Sequence, residues 1–241
     1  AEIAANFAYW DDIYVQFRGK TLRSSGHGFS GIRRLTLLEI LQRRAAQLGI
    51  PVRYQTEDLG LDAHRGADLV LAADAINSAI REGWRDAFGP TVDQRTNRFV
   101  WLGTKMNLPG FYYSFREHAG GVWAMHAYQY TAGESTIVIE TTDEAWLASG
   151  LTITDEAATV ALVEKIFADD FKQFVADPKD IQVLSNRSHW RQFPTINCRT
   201  WWSRLQGIPY VLLGDAAHTA HFSIGSGTKL ALEDAITLHG A

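Results

Sequence analysis

The sequence has a single cysteine, Cys198, among 241 residues, so an internal disulfide and a cysteine-rich metal site are both excluded. No neighbour in sequence activates that thiol. It reads as a small buried residue and fits a reducing, cytoplasmic setting. No apolar run approaches the roughly 20 residues that a membrane-spanning helix needs. The opening Ala1-Glu2-Ile3-Ala4 carries neither a basic n-region nor an apolar h-region, so no secretory signal is visible. Positive charge is not in excess either: the net charge is −4. The small basic clusters at Arg33-Arg34 and Arg43-Arg44 are explained by a solvated helix face. Neither nucleic acid nor a membrane is an expected partner, and the oligomeric state is left open. The chain shows no internal repeat and no low-complexity tract.

What is present suits an ordinary globular protein, with 46% hydrophobic and 21% charged residues and enough length to bury a sizeable core. The chain opens without an initiator Met, and a helical pattern runs almost to its last residue. Processing would account for the first feature, and truncation for both.

Residues 12–24 read as a hairpin turning at Gly19-Lys20. Leu35, Leu38, Ile40, Leu41, Ala45 and Leu48 recur at helical spacing before Gly49, which supplies a stop. Pro51-Val52-Arg53-Tyr54 reads as a strand, and Asp68–Ala73 as a strand buried on both faces of a parallel sheet. Composition then shifts near residue 97. Phe99–Thr104, Phe111–Glu117, Val122–Tyr130 and Ser135–Thr142 are rich in aromatic and β-branched residues and are separated by turns, the pattern of an antiparallel sheet. Alternation places Val122, Ala124, His126, Tyr128 and Tyr130 on one face. Asp155–Phe174 reads as a helix with Ala158, Leu162, Ile166 and Phe167 as its core stripe. Tyr210–Leu213 is a short buried strand, and a helix follows over Lys229–Leu238. Trp84, Trp101, Trp123, Trp146, Trp190, Trp201 and Trp202 are expected in the core. The fold class is therefore α/β (α+β), with parallel-type elements at the two ends enclosing an antiparallel sheet.

A literal G-x-G-x-x-G spans Gly26-His27-Gly28-Phe29-Ser30-Gly31, with a helix behind it and Glu57 downstream. The preceding Thr21-Leu22-Arg23-Ser24-Ser25 is short and polar, not the buried parallel strand that a dinucleotide fingerprint needs, and this argues against that reading. A second segment has better context. Leu212-Leu213-Gly214-Asp215-Ala216-Ala217-His218 is a buried strand that ends in a carboxylate, at the sheet edge where ligands of open α/β folds collect. Downstream, Gly225-Ser226-Gly227-Thr228-Lys229 opens a helix whose unbonded N–H groups suit an anion. Together they would cradle a flavin. By spacing alone, a plain strand–turn–helix connection with an incidental Asp reads equally well.

Gly214-Asp215-Ala216-Ala217-His218 resembles the "GD" motif of the class A FAD-dependent aromatic hydroxylases, the family of the p-hydroxybenzoate hydroxylase fold. Asp68–Arg81 is similar to the family's "DG" motif: Asp74 matches, but Ala75 stands where that motif has Gly. Four strings resemble the branch containing salicylyl-CoA 5-hydroxylase and 2-aminobenzoyl-CoA monooxygenase. These are Ser24–Phe29, Trp101-Leu102-Gly103-Thr104, His126-Ala127-Tyr128 and His221–Lys229. A violacein-pathway hydroxylase is a more distant cousin. The resemblance covers nearly the whole chain. One departure is that nothing upstream of Ala1 supplies the family's N-terminal FAD fingerprint.

The resemblance implies a domain plan. Residues 1–97 would be a portion of a Rossmann-like FAD-binding domain, 98–205 an antiparallel-sheet substrate domain with helices, and 206–241 a return to the FAD domain. It implies FAD as cofactor, held by Arg34, Asp74, Gly214, Asp215, Gly225, Ser226, Gly227, Thr228 and Lys229, with NADH or NADPH as reductant and O2 as co-substrate. The activity implied is hydroxylation of an aromatic ring through a flavin C4a-hydroperoxide, salicylyl-CoA at its 5-position above all. The alternatives are 2-aminobenzoyl-CoA or an indole or tryptophan derivative as substrate, or a fragment that binds flavin without catalysis. His221, His126 and Tyr128 are the candidate catalytic residues, and His27 and Phe222 the candidate substrate contacts. No metal site is expected.

Overall fold

The structure, a computed structural model, describes residues 2–57 and 60–240. The chain divides into two compact units, Ala1–Arg53 with Thr96–Gln192 and Tyr54–Arg95 with Phe193–Ala241. In chain order the first segment carries α1 (Glu2–Ala5), β1 (Ala8–Trp10), β2 (Ile13–Phe17), β3 (Lys20–Ser24), β4 (Phe29–Gly31) and α2 (Arg34–Gln47). Next come β5 (Val70–Ala72), α3 (Ala79–Gly83), α4 (Arg85–Phe88) and the long β6 (Pro90–Thr104). Then follow β7 (Phe111–His118), β8 (Gly121–Thr131), β9 (Glu134–Thr141), α5 (Asp143–Ala148), α6 (Glu156–Ile166), α7 (Ala168–Lys172) and β10 (Val183–Leu184). The chain ends with β11 (Arg191–Cys198), β12 (Trp202–Leu205), β13 (Ile208–Leu212) and α8 (Gly227–Gly240).

The first unit is built on a sheet whose main path runs β10-β6-β9-β8-β7-β2-β3. The four expected strands are all there, as β6 to β9. Hairpin β2–β3 forms as expected, but β2 also pairs parallel with β7, Ile13 opposite Phe111 through Phe17 opposite Phe115. Residues 1–53 therefore share a compact unit with the sheet strands. One sheet face is the core: Val100, Leu102, Trp123, Met125, Ile137 and Ile139 pack under Val163, Phe167 and Phe171 of the covering helices. These residues alternate with others on the opposite face, as pleating requires. Tyr112 stacks on Tyr14 at 4.6 Å, and burial pushes its phenol up to about 12. Arg116 makes two bonds to the buried Asp170, which also accepts from Ser114, so an ion pair ties α7 to β7. The expected single helix at 155–174 is two, because the backbone leaves helical geometry at Phe167 (φ −105°, ψ 18°).

The second unit holds a smaller sheet, β12-β13-β5, with β13 and β5 parallel. Its core gathers Ala72, Ile80, Phe88, Ile196, Leu205, Tyr210 and Leu212. Cys198 lies in it, and burial raises its thiol pKa, as suits an inert side chain.

Several expectations need correction. Pro51–Tyr54 is not a strand: Pro51 lacks an N–H, and Val52 and Tyr54 face solvent with no partner strand among the described residues. The run Asp68–Ala73 is buried on one face only, with Ala72 inside and Leu69 and Leu71 exposed. Helix α2 forms where expected and stops at Gly49, yet of its apolar residues only Ile40 is buried; Leu35, Leu38 and Leu41 are exposed. Trp123, Trp146 and Trp190 are core residues, whereas Trp101, Trp201 and Trp202 are exposed.

Candidate functional site

In the second unit the chain leaves two neighbouring strands through turns that each carry an aspartate. Parallel pairing sets Leu212 opposite Ala72, and Leu213 N–H donates to the Ala72 carbonyl at 3.0 Å. The chain then turns at Asp74 after β5 and at Asp215 after β13. Asp215 is exposed, and its carboxylate meets no hydrogen-bond or ion-pair partner among the described residues. Its backbone is held fast, for the carbonyls of Asp215 and Ala216 accept from the Arg81 guanidinium at 3.4 and 3.0 Å. That guanidinium is 3% exposed and also reaches Ile76 O at 2.6 Å and Glu82 at 3.0 Å. A carboxylate only accepts hydrogen bonds, so this turn presents an acceptor to solvent.

Asp74 is engaged differently. Its Oδ2 accepts from the N–H groups of Ala79 (2.7 Å) and Ile80 (3.3 Å) and so caps α3 together with Ser78, whose hydroxyl accepts from Arg81 N–H. Ala75 adopts φ 65°, the left-handed conformation for which the related motif uses Gly. The methyl group is accommodated, with strain.

Helix α8 begins as the sequence suggested. Gly225 is left-handed at φ 66°, and Leu230 N–H donates to Ser226 O at 2.9 Å. The N–H groups of Gly227, Thr228 and Lys229 have no carbonyl within the helix to reach, and no acidic side chain stands in this first turn. Lys229 pairs along the helix with Glu233 at 2.6 Å. Just before α8, His221 Nδ1 lies 2.8 Å from Ser223 Oγ and accepts from Ser223 N–H at 3.4 Å, which leaves the ring proton on Nε2. Phe193 and Phe222 flank that imidazole at 5.3 and 4.2 Å between ring centroids.

In the first unit, the sheet face opposite the core is aromatic. Pairing of Tyr113 with His126, and of His126 with Val138, puts these on one face with Tyr128 and Phe111, up to an irregularity between Gln129 and Thr131. Phe111 stacks on Tyr128 at 5.2 Å and on Tyr113 at 4.8 Å, and Tyr113 lies 4.7 Å from His126. Trp10 covers this group, stacked on Tyr128 at 5.7 Å and on Phe29 at 6.5 Å. Burial raises the pKa of both Tyr113 and Tyr128, so their hydroxyls stay protonated and can donate.

The glycine loop 24–31 borders this face. His27 Nε2 lies 2.7 Å from Ser24 Oγ, and its ring is 5.9 Å from Phe29. The loop is anchored by acids. Gly28 N–H donates to Asp11 Oδ1 at 3.2 Å, and Ser25 donates to Asp12 at 2.5 Å. The Ser25 hydrogen bond and the Arg23 guanidinium hold the Asp12 carboxyl below the usual range. A loop whose N–H points at a carboxylate, behind an exposed antiparallel strand, is not a pyrophosphate cradle. Arg34 heads α2 and is exposed.

The expected residues thus fall into two groups. His27, Arg34, His126 and Tyr128 belong to the first unit, while Asp74, Gly214, Asp215, His221, Phe222 and Gly225–Lys229 belong to the second. Trp10, Phe29, Phe111 and Tyr113 were not singled out in the sequence, nor were Arg81 or Asp234 as partners of the Gly214-Asp215 turn. Period-two spacing of Phe111, Tyr113 and Phe115 was an available signal for the sheet face. Nothing local links Arg81 or Asp234 to residue 214. Among the described residues no group of His, Cys, Asp and Glu could hold a metal ion, and no helix is long and apolar enough to cross a membrane.

No protein-family profile matches the chain. It is 38% identical over 233 residues to the salicyloyl-CoA 5-hydroxylase of a Streptomyces species, covering 95% of this chain and 44% of that protein. It is 34% identical over 240 residues to 3-hydroxy-4-methyl-anthranilyl-(aryl-carrier protein) 5-monooxygenase of Streptosporangium sibiricum, covering 100% and 61%. The chain spans about half the length of the curated relatives it matches. Among solved structures, 2-methyl-3-hydroxypyridine-5-carboxylic acid oxygenase superposes with a TM-score of 0.73 at 14% identity, over 96% of this chain and 63% of that one. The flavin-dependent halogenase CmlS superposes with a TM-score of 0.65 at 16% identity, over 99% and 48%. The curated homologues thus include salicyloyl-CoA 5-hydroxylase and related monooxygenases, and the fold is that of the flavin-dependent hydroxylases.

Proposed function

We propose that this chain, homologous to monooxygenases of aromatic thioesters and folded like the flavin-dependent hydroxylases, is the substrate sheet and part of the flavin site of an FAD-dependent aromatic hydroxylase. It would use O2 and NADH or NADPH. The substrate proposed is a salicyl thioester, salicyloyl-CoA first, hydroxylated at ring position 5. The two relatives named above act at a 5-position of an aroyl group on CoA or on a carrier protein, as their names state, which favours a thioester handle. The anthranilyl group of the second supports a 2-aminobenzoyl thioester as the other reading.

FAD, when bound, supplies the activation of O2. Asp215 would accept hydrogen bonds from its ribityl hydroxyls. The N–H groups of Gly227, Thr228 and Lys229 would face its ring, where negative charge is favoured by the helix start. The aromatic face of Phe111, Tyr113, His126 and Tyr128 would hold the substrate ring and exclude water. Tyr128, kept protonated by its burial, would donate to the ring hydroxyl or the thioester carbonyl. His126 would orient the phenol, and His27, from its loop, would approach the same ring. His221, with its proton on Nε2, would offer a donor from the segment that opens α8, beside Phe222. Arg34, exposed at the head of α2, would reach the cofactor, whereas Asp74 would lie at its margin, since it already caps α3.

The single observation that carries this reading is the exposed, unpartnered Asp215 carboxylate on an immobilised turn. The test is an FAD titration of the 241-residue polypeptide beside Asp215→Ala, read by flavin fluorescence and absorbance. Saturable binding that weakens about 10- to 100-fold in the variant, the worth of charge-assisted hydrogen bonds, supports it. Equal affinity in both proteins would sink the ribityl assignment. Salicyloyl-CoA-dependent NADH or NADPH oxidation then tests the substrate.

A further inference from the structure

We propose that Asp234 is the positioning residue of the Gly214-Asp215 turn and sets the direction in which the Asp215 carboxylate faces. This rests on the reading of Asp215 as a ligand group. One oxygen of Asp234, Oδ2, takes two bonds: Gly214 N–H at 3.0 Å and His218 Nε2 at 2.9 Å. Because a carboxylate only accepts, the His218 proton sits on Nε2. Trp201 lies flat against that imidazole, 4.5 Å away and 6° from parallel, and fixes the plane in which it can donate. The turn is thus closed at both ends of its backbone. Gly214 O accepts from Ala217 and His218 N–H at 2.9 and 3.0 Å, Gly214 N–H is held by Asp234, and the carbonyls of Asp215 and Ala216 are held by Arg81.

Helix α8 also leaves Gly214 little room. Gly214 sits at φ 57°, and a Cβ there would meet the Ala231 Cβ at 3.0 Å. Ala231 and Asp234 are three apart on α8 and so share a face. That face therefore presses on Gly214 with a methyl group and binds its N–H with a carboxylate. Gly227, seven residues before Asp234, lies on the same side of the helix about 10 Å away along its axis. The residue that orients Asp215 thereby also fixes the register of the helix whose first turn would face the same ligand. Asp215 keeps an unpartnered carboxylate because the groups around it are partnered.

The experiment is a cycle of FAD affinities in the wild-type chain, Asp234→Ala, Asp215→Ala and the double variant, with Asp234→Asn and His218→Gln alongside. Urea unfolding and hydrogen exchange at the Gly214 amide are followed in each. If Asp234 acts through Asp215, Asp234→Ala weakens FAD about tenfold, and Asp234→Asn, which retains an acceptor, weakens it less. The double variant then binds no more weakly than Asp215→Ala alone. Losses that multiply in the double variant, or an unchanged affinity in Asp234→Ala, overturn the assignment. If the wild-type chain takes up no FAD, the ligand reading of Asp215 falls. Exchange then decides the clamp by itself: about tenfold faster at Gly214 in Asp234→Ala, with the unfolding midpoint barely moved, sustains it. Unchanged exchange refutes it.

Discussion

Asp74 and Asp215 lie two and three residues beyond the ends of two neighbouring parallel strands, each next to a residue in the left-handed conformation: Ala75 at φ 65° and Gly214 at φ 57°. Their side chains do different work. Asp74 turns back on its own chain and satisfies the first amides of α3, whereas Asp215 looks outward while other residues satisfy its backbone. The neighbours make the difference. A helix starting five residues after Asp74 brings unbonded N–H groups within its reach. After Asp215 the long helix starts only at Gly227, and Arg81 and Asp234 occupy the backbone instead. Two acids at neighbouring strand ends are thus told apart by what already binds them: one carboxylate is a helix cap, and the other has no partner among the described residues.

The comparison can be tested residue by residue. The largest effect is expected at Arg81, which serves both turns through Ile76 O, Asp215 O and Ala216 O. Arg81→Leu leaves those carbonyls without a donor and should cost about 3 kcal/mol in urea unfolding. A loss under ~1 kcal/mol would show that water replaces the guanidinium. Asp215→Ala should change stability by less than ~0.5 kcal/mol, as for an exposed side chain without partners, while its effect falls on ligand affinity. Asp74→Ala should do the reverse, costing about 1 kcal/mol of stability through the lost cap, with little direct effect on FAD. If the two variants exchanged these phenotypes, the distinction drawn above would be wrong. The smallest change is a gain. Ala75→Gly removes the strain of a methyl group at positive φ and should stabilise by about 0.5–1 kcal/mol, measured as a rise in unfolding midpoint. Destabilisation there would mean that the entropy of glycine in the unfolded chain outweighs the strain.

Much of the fold was legible because it is written in local periodicity. The strands β6 to β9, the β2–β3 hairpin and the helices near residues 34, 156 and 229 follow from alternation, helical spacing and glycine stops. Burial was less legible. Leu35, Leu38 and Leu41 repeat as a core stripe should, yet they are exposed, because periodicity reports which face is apolar and not what covers it. Pro51–Tyr54 has strand-like residues but no partner strand among the described residues, and strand propensity is largely a property of such neighbours. The candidate site was legible wherever a string was contiguous, as at Gly214-Asp215 and Gly225–Lys229. Arg81, Asp234 and the Trp10–Phe111 stack were not, since each depends on residues far apart in sequence.

The pairing of β2 with β7 has a consequence in time. It joins Ile13 to Phe111 across about 100 residues of chain, in parallel, whereas β7, β8 and β9 are linked by short turns. Closing so long a loop is slow and gives no gain until the meander is in place to receive it. The meander β7–β9 should therefore acquire protection first in pulse-labelled refolding, and β2 with β3 should join last; simultaneous protection would contradict this order. The loop carrying His27 follows β3 directly, so the border of the aromatic face would be completed only when the last strand arrives.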